Sequence, residues 1–405
     1  DHLAKVPTPF HVFYADRALE DARSLEKGLR TRLQKPEFFY STKTNPLPHL
    51  LQEVLALGWG LEAVGAENLR AAIESGAKGN QILFNGAAWI KQELERAIFE
   101  LGISHFSVDS PDMVDLLAAV LENSQCRPLN LAIRLHDGES HFGFPLEKMA
   151  LEYPLSRIPA DRVASWGFQI HRNPQSSSLS KEQIKQDFRQ RCERVKRALL
   201  LLGQTNETDP ISFLDFGGGI DSPYVYRVSP GELGSFHNPN EAEAFRSSLP
   251  SERFSLFEAG SAVAEAIHEE LGHQWCQQRI LFEPGRSVCT RALSTVIEVR
   301  AVKNLYPDAQ LLITDGSTSF LGPLHRGIHP LWPKGNRRTF VYGCLPHSGD
   351  WLFQAVNLPQ LKRGDRLLIE HTGAYFLPLE SDFGHAKPGI LSCKKDEWIR
   401  TPKTR

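Results

Sequence analysis

Short apolar runs alternate with helix-spaced apolar positions through the first 285 residues of the chain. A short apolar run bounded by turn-forming residues predicts a strand buried on both faces, and apolar residues three and four apart predict a helix that buries one side. Strands are expected on this basis at 37–42, 61–64, 82–85, 105–109, 129–135, 166–171, 212–216 and 279–283. Helical spacing lies between them, most clearly at 46–57, 89–101, 112–122 and 181–202. Eight such strands with intervening helices predict an α/β fold, a (β/α)8 barrel of TIM type, although a doubly wound parallel sheet gives the same alternation. Beyond Arg286 the pattern changes. Segments 293–302, 310–314, 339–342 and 366–369 have strand character and are separated by Gly, Pro and Asp turns, which predicts a second, mainly β domain.

Bulk properties exclude several classes of function. The 405 residues carry a formal net charge of −2, and no basic stretch is long enough to indicate nucleic acid. The most basic segment, 181–197, also carries acids at helical spacing and is expected to be a solvated helix face. No apolar run approaches the roughly 20 residues needed to span a bilayer. The first five residues show no signal-peptide pattern. The six cysteines at 126, 192, 276, 289, 344 and 393 are scattered, with neither a CxxC pair nor zinc spacing. They are expected to be reduced thiols of a cytoplasmic protein, with no metal.

Candidate chemistry sits at the ends of the expected strands, where the functional groups of a parallel barrel collect. Lys43 closes the run containing Phe38, Phe39 and Tyr40 and precedes Thr44-Asn45-Pro46. Burial there is expected to lower its pKa and free the amine as a nucleophile able to form an imine with an aldehyde cofactor. His171 closes the sixth run, Gly217-Gly218-Gly219 follows the seventh, and Glu283-Pro284-Gly285-Arg286 closes the eighth. Three successive glycines let backbone N–H groups approach an anion, and a neighbouring arginine adds fixed positive charge. An amine, an imidazole, a phosphate cradle and a carboxylate in one barrel mouth describe a site for pyridoxal 5'-phosphate.

These segments resemble the fold-type III pyridoxal-phosphate-dependent decarboxylases, the family of diaminopimelate, ornithine and arginine decarboxylases. Phe39-Tyr40-Ser41-Thr42-Lys43-Thr44-Asn45-Pro46 is similar to the family's YAVKANP segment, and His141-Phe142-Gly143-Phe144 to its KFG segment. Asp215-Phe216-Gly217-Gly218-Gly219, Glu283-Pro284-Gly285-Arg286, Ser348-Gly349-Asp350 and Gly373-Ala374-Tyr375 match further family motifs in order. The resemblance implies a cofactor-binding barrel over 26–286, and a β-rich domain from 1–25 and 287–405 that contributes to a homodimer with shared active sites. It implies Lys43 as the Schiff-base lysine and His171 as the ring-stacking imidazole. Gly218, Gly219, Gly285, Arg286 and Tyr375 would contact the phosphate end, and Glu283 would pair with the pyridine nitrogen. Glu62 would lie near the ring, and Arg134 would support the site. The substrate would be a small amino acid or an amino-acid derivative, bound by His325, Arg326, His347 and Asp350.

The chain departs from the family where substrate is handled. The family's second catalytic motif reads C-E-S-G-D or similar. Here Pro346 takes the place of the cysteine, Cys344 lies two residues earlier, and His347 replaces the acid that recognises a distal amine. Arg172-Asn173-Pro174 replaces a phosphate-binding serine segment, for which Ser176, Ser177 or Ser178 could substitute. Gly322 stands where a substrate-binding arginine is expected. Cys344 and His347 are retained as catalytic candidates. A protonated ring nitrogen beside Glu283 makes decarboxylation the leading reaction, on a substrate other than diaminopimelate or ornithine. An amino-acid racemase and a catalytically degenerate regulatory homologue are the alternatives.

Overall fold

The computed structural model describes residues 5–122, 126–172, 180–203, 210–228, 253–394 and 397–401. Eight parallel strands close a barrel. They are β2 (Lys35–Ser41), β3 (Gly60–Ala63), β4 (Ile82–Asn85), β5 (His105–Val108), β6 (Leu129–Arg134), β7 (Val163–Gln169), β8 (Ile211–Asp215) and β10 (Arg279–Phe282), with β10 hydrogen-bonded to both β8 and β2. Closure decides between the two alternations left open by the sequence pattern. Phe39, Leu83, Ala132, Phe213 and Leu281 fill the barrel interior as one cluster. The large rings fit because glycines face them: a Cβ on Gly60 would come within 2.5 Å of Phe39, and one on Gly167 equally close to Phe213. Buried on both faces, these strands are near-continuous apolar runs, which is why they were legible.

The helices wrap the barrel: α1 (Ala15–Leu29), α2 (Pro48–Ala56), α3 (Ala66–Glu74), α4 (Lys91–Glu95), α5 (Pro111–Glu122), α6 (Lys148–Arg157), α7 (Lys181–Leu201) and α8 (Leu256–Cys276). The helix expected over 89–101 is α4 followed by one π turn, Arg96–Glu100. Helices α1 and α8 meet where glycines let their backbones touch; a Cβ on Gly28 would lie 2.2 Å from the Phe257 carbonyl. The 25/26 division expected from the resemblance therefore passes through α1, whose buried face packs on the barrel layer.

The β-rich region is a nine-stranded sheet. Its strands are β1 (Phe10–Tyr14), β11 (Leu293–Tyr306), β12 (Ala309–Thr314), β14 (Leu331–Trp332), β15 (Arg337–Tyr342), β16 (Trp351–Leu358), β17 (Arg366–Ile369), β18 (Gly389–Lys394) and β19 (Glu397–Thr401). Two short strands, β9 (Tyr226–Arg227) and β13 (Gly327–Ile328), pair with each other between the two regions. β1 lies between β11 and β18, antiparallel to the first and parallel to the second. The segment 373–375, beyond β17, crosses back onto the barrel. Tyr375 N–H donates to the Thr44 carbonyl at 2.8 Å, and Asn45 Nδ2 donates to the Gly373 carbonyl at 2.9 Å. Gly373 packs so closely on Cys289 that a Cβ would lie 1.6 Å from its carbonyl oxygen. The described residues contain no helix long and apolar enough to cross a membrane.

Candidate active site

Immediately after β2 the chain makes a 3-10 turn, Thr42–Thr44, which turns Lys43 into the barrel mouth. Thr42 Oγ1 ties that turn to the Glu62 carbonyl at 2.6 Å. Glu62 is fully buried at the end of β3, where its carboxylate accepts from Ser41 Oγ at 2.7 Å and from Lys43 Nζ at 3.1 Å. The lysine side chain remains 38% exposed, open to the cavity. Its pKa runs opposite to the sequence expectation. Burial does oppose the charge, but the carboxylates of Glu62 and Glu283 outweigh it, and the pKa is raised. The amine is therefore held as an ammonium by acids that the fold brings alongside.

Glu283, at the end of β10, is buried and accepts two amide hydrogen bonds on Oε1: from Asn85 Nδ2 at 2.9 Å and from Gln169 Nε2 at 2.6 Å. Ser107 Oγ donates to Gln169 Oε1 at 2.9 Å, which fixes which end of the amide faces the acid. Burial, and then the charge of Glu62, raise the pKa of Glu283. Asp215 lies beside it with a pKa pushed well above the carboxylate range by burial and by Glu283. One Asp215 oxygen accepts from Gly217 N–H at 2.8 Å, and the carboxyl, kept protonated, faces Glu283.

The opposite end of the cavity is cationic. His171 Nδ1 accepts from Gly218 N–H at 3.0 Å, so the ring proton belongs on Nε2. Burial, then the charges of Lys43 and Arg191, hold this imidazole well below its usual pKa and neutral. Gly217 and Gly219 adopt positive φ, 60° and 82°, which an L side chain rarely tolerates. The Gly218 N–H is thus spent on His171, whereas the N–H groups of Gly219 and Ile220 have no acceptor among the described residues. Beyond them Asp221 is buried near three guanidinium groups: Arg227 at 3.3 Å, Arg286 at 3.7 Å and Arg253 at 4.0 Å. Arg286, on the cavity side of Asp221, gives this end a positive charge that favours an anion. Arg286 also lies 5.0 Å over the ring of Tyr375.

Lys43, Glu62, Glu283, His171, Gly219 and Arg286 line one cavity of about 650 Å³ that also includes Arg134 and Gly285. Arg134 stacks over Phe142 at 4.4 Å. An amine lies between a buried acid end and a cationic end with unused N–H donors, which fits pyridoxal phosphate: ring nitrogen toward Glu283, phosphate toward Gly219 and Arg286.

The expected substrate-side residues are elsewhere. Asp350 is buried inside the β-rich region. Its carboxylate accepts from Thr318 N–H at 2.7 Å, Thr318 Oγ1 at 2.8 Å and Leu345 N–H at 2.8 Å, bracing two loops. His325 stacks on Trp351 with ring centroids 3.9 Å apart and bonds its carbonyl at 2.7 Å, lining a different cavity of about 480 Å³. Arg326 and His347 are exposed, and Cys344 is partly buried. None of these five lines the barrel cavity of its own chain. Ser176, Ser177 and Ser178 lie outside the described residues.

Sequence reasoning missed Asn85, Ser107, Gln169, Asp221, Arg227 and Arg191. The first three carried a weak signal, polar residues at the ends of otherwise apolar strands. Arg191 corrects the reading of 181–197 as a solvated face, because its side chain is fully buried.

The profile of the family described as "Pyridoxal-dependent decarboxylase, pyridoxal binding domain" matches residues 19–290. A lysine/ornithine decarboxylase of Selenomonas ruminantium is 24% identical over 384 residues, spanning 92% of this chain and 86% of the relative. A diaminopimelate decarboxylase of Helicobacter pylori strain J99 is 23% identical over 420 residues, spanning 98% and 93%. Among solved structures, a diaminopimelate decarboxylase from M. jannaschi aligns with a TM-score of 0.81 at 19% identity, over 100% of this chain and 92% of that one.

Proposed function

Because the chain belongs to the pyridoxal-dependent decarboxylases, we propose that it releases carbon dioxide from an amino acid whose distal end carries a carboxylate or another acceptor-rich group, and not a second free amine. Its cofactor is pyridoxal phosphate, and it is a carboxy-lyase. When bound, the cofactor ring supplies the sink for the electron pair left behind as carbon dioxide departs. The observation that carries the reading is Glu283, buried and pinned by two amides, where a carboxylate can hold a proton on the ring nitrogen. Lys43 supplies the amine that anchors the cofactor. Glu62, 3.1 Å from Nζ, is placed to take the proton that the ammonium must lose before the amine can react. His171, neutral and anchored through Nδ1, offers a flat face for the ring without adding a charge that would weaken the sink. Gly219, Ile220, Arg286 and Arg227 hold the phosphate.

Distal recognition is assigned to the 325–326 and 344–350 segments of a second copy, because these segments do not reach the cavity of their own chain. His347 and Arg326 suit an anionic or acceptor-rich group, whereas the acid that would hold a second ammonium is absent at position 347. Asp350 then acts by shaping that loop, and Cys344 is the thiol nearest the family's missing cysteine along the chain. The test is carbon dioxide release from a panel of D- and L-amino acids with acidic, polar and cationic distal groups. Turnover confined to acidic or polar members is expected. Efficient turnover of lysine or ornithine with acidic members untouched overturns the substrate assignment and leaves the cofactor assignment standing.

A further inference from the structure

The glycine loop and the strand end beside it are held by a residue that touches neither cofactor nor substrate. Arg191, on α7, is fully buried behind the loop. A guanidinium has five N–H donors in a fixed fork, and here all five are engaged. Nε and Nη2 donate to Asp187 Oδ2 at 3.0 and 2.7 Å, and Nη2 also donates to the Arg172 carbonyl at 3.0 Å. Nη1 donates to the carbonyls of Phe216 at 3.0 Å and Gly218 at 2.7 Å. One planar group thus joins the residue after His171 to the loop after β8.

We propose that Arg191 is the positioning residue of the phosphate end, aiming the donor that receives the phosphate. The Gly218 carbonyl and the Gly219 N–H belong to one trans peptide and point in opposite directions. Drawing the carbonyl toward Arg191 therefore drives the N–H away from it, toward the cavity that Gly218 and Gly219 line. The close packing of this clamp also suits the glycine at 219, where a Cβ would lie 2.3 Å from the Arg172 carbonyl oxygen and 2.6 Å from Arg191 Nη2. The Arg172 carbonyl, held by the same group, keeps the strand end carrying His171 in register with the loop.

The inference rests on the pyridoxal phosphate reading of the cavity, and its test separates the two. Dissociation constants are measured for pyridoxal phosphate and for pyridoxal, which lacks the phosphate, on the full-length wild-type chain, Arg191→Lys and Asp187→Asn. Lysine keeps the charge but cannot bond three carbonyls in one plane. Arg191→Lys is expected to weaken pyridoxal phosphate by about tenfold or more and to leave pyridoxal within about twofold. Asp187→Asn, which only loosens the fork, is expected to show the same selectivity in smaller degree, and it decides the matter should the lysine variant not fold. Equal losses for both ligands, or no loss for either, overturn the positioning role. A wild-type chain that does not bind pyridoxal phosphate overturns the underlying reading instead.

Discussion

The barrel mouth and the 344–350 loop both carry motifs of one family, yet they are built in opposite ways. In the mouth the groups that carry the chemistry are tied to one another within one chain: Ser107 orients Gln169, Gln169 and Asn85 hold Glu283, and Glu62 holds Lys43. In the loop, the buried carboxylate of Asp350 is turned inward to brace Thr318 and Leu345, and His347 faces solvent. The mouth's polar groups are held by residues of its own chain. The loop presents residues 346–349 outward, where the proposed second copy would meet them. Cofactor chemistry can therefore persist while the substrate changes, because the two functions share almost no hydrogen bonds.

The comparison breaks most completely at the lysine. Lys43→Ala should abolish turnover, and borohydride reduction, which should leave the cofactor mass on the Lys43 peptide of the wild type, should leave none on any peptide of the variant. A covalent adduct elsewhere would displace Lys43 from its role. The next largest effect is expected at the acid: Glu283→Gln should slow decarboxylation by several orders of magnitude, on the order of a few kcal/mol of barrier. Near-normal carbon dioxide release would mean that the ring nitrogen proton is not needed. Truncating one supporting amide by Gln169→Ala, which leaves Glu283 one donor fewer, should cost about tenfold in kcat with little change in KM.

Two smaller effects sharpen the loop side. If the loop serves a second copy, Lys43→Ala and Asp350→Ala chains mixed after verified subunit exchange should regain about a quarter of wild-type activity, since half the dimers then hold one intact site of two. No recovery would confine the site to one chain. His347→Glu should weaken acidic or acceptor-rich substrates by about tenfold and improve diamino acids in proportion. An unchanged preference would remove His347 from recognition.

The barrel strands were legible because parallel strands buried on both faces leave an unbroken apolar signature, so that 82–85 was read to the residue. The long helix α8 and the strands β16, β18 and β19 were not foreseen: the buried face of α8 is rich in small residues such as Ala259, Gly260, Ala262 and Ala266, which give little apolar periodicity, and β16 and β19 end the sheet. Within the site the motif residues were found by their order along the chain, but their electrostatics were not. The sign of the Lys43 shift is set by Glu62 and Glu283, 19 and 240 positions away, and no local pattern carries it. Arg191 was hidden for the same reason: on a highly charged helix a buried arginine looks like its solvated neighbours until the carbonyls it serves are in place.

The placement of β1 has a consequence for how the chain is made. Phe10–Tyr14 is an early segment to leave the ribosome, but one of its two neighbours in the sheet is Gly389–Lys394. Every barrel strand is complete before that neighbour exists. During synthesis the barrel can close while β1 waits with one hydrogen-bonding edge uncovered, an invitation to pair with another nascent chain. Loss of the residues from 389 onward would make that exposure permanent. Such a chain is expected to keep a folded barrel yet accumulate as insoluble material, a hazard set by the order in which the strands are born.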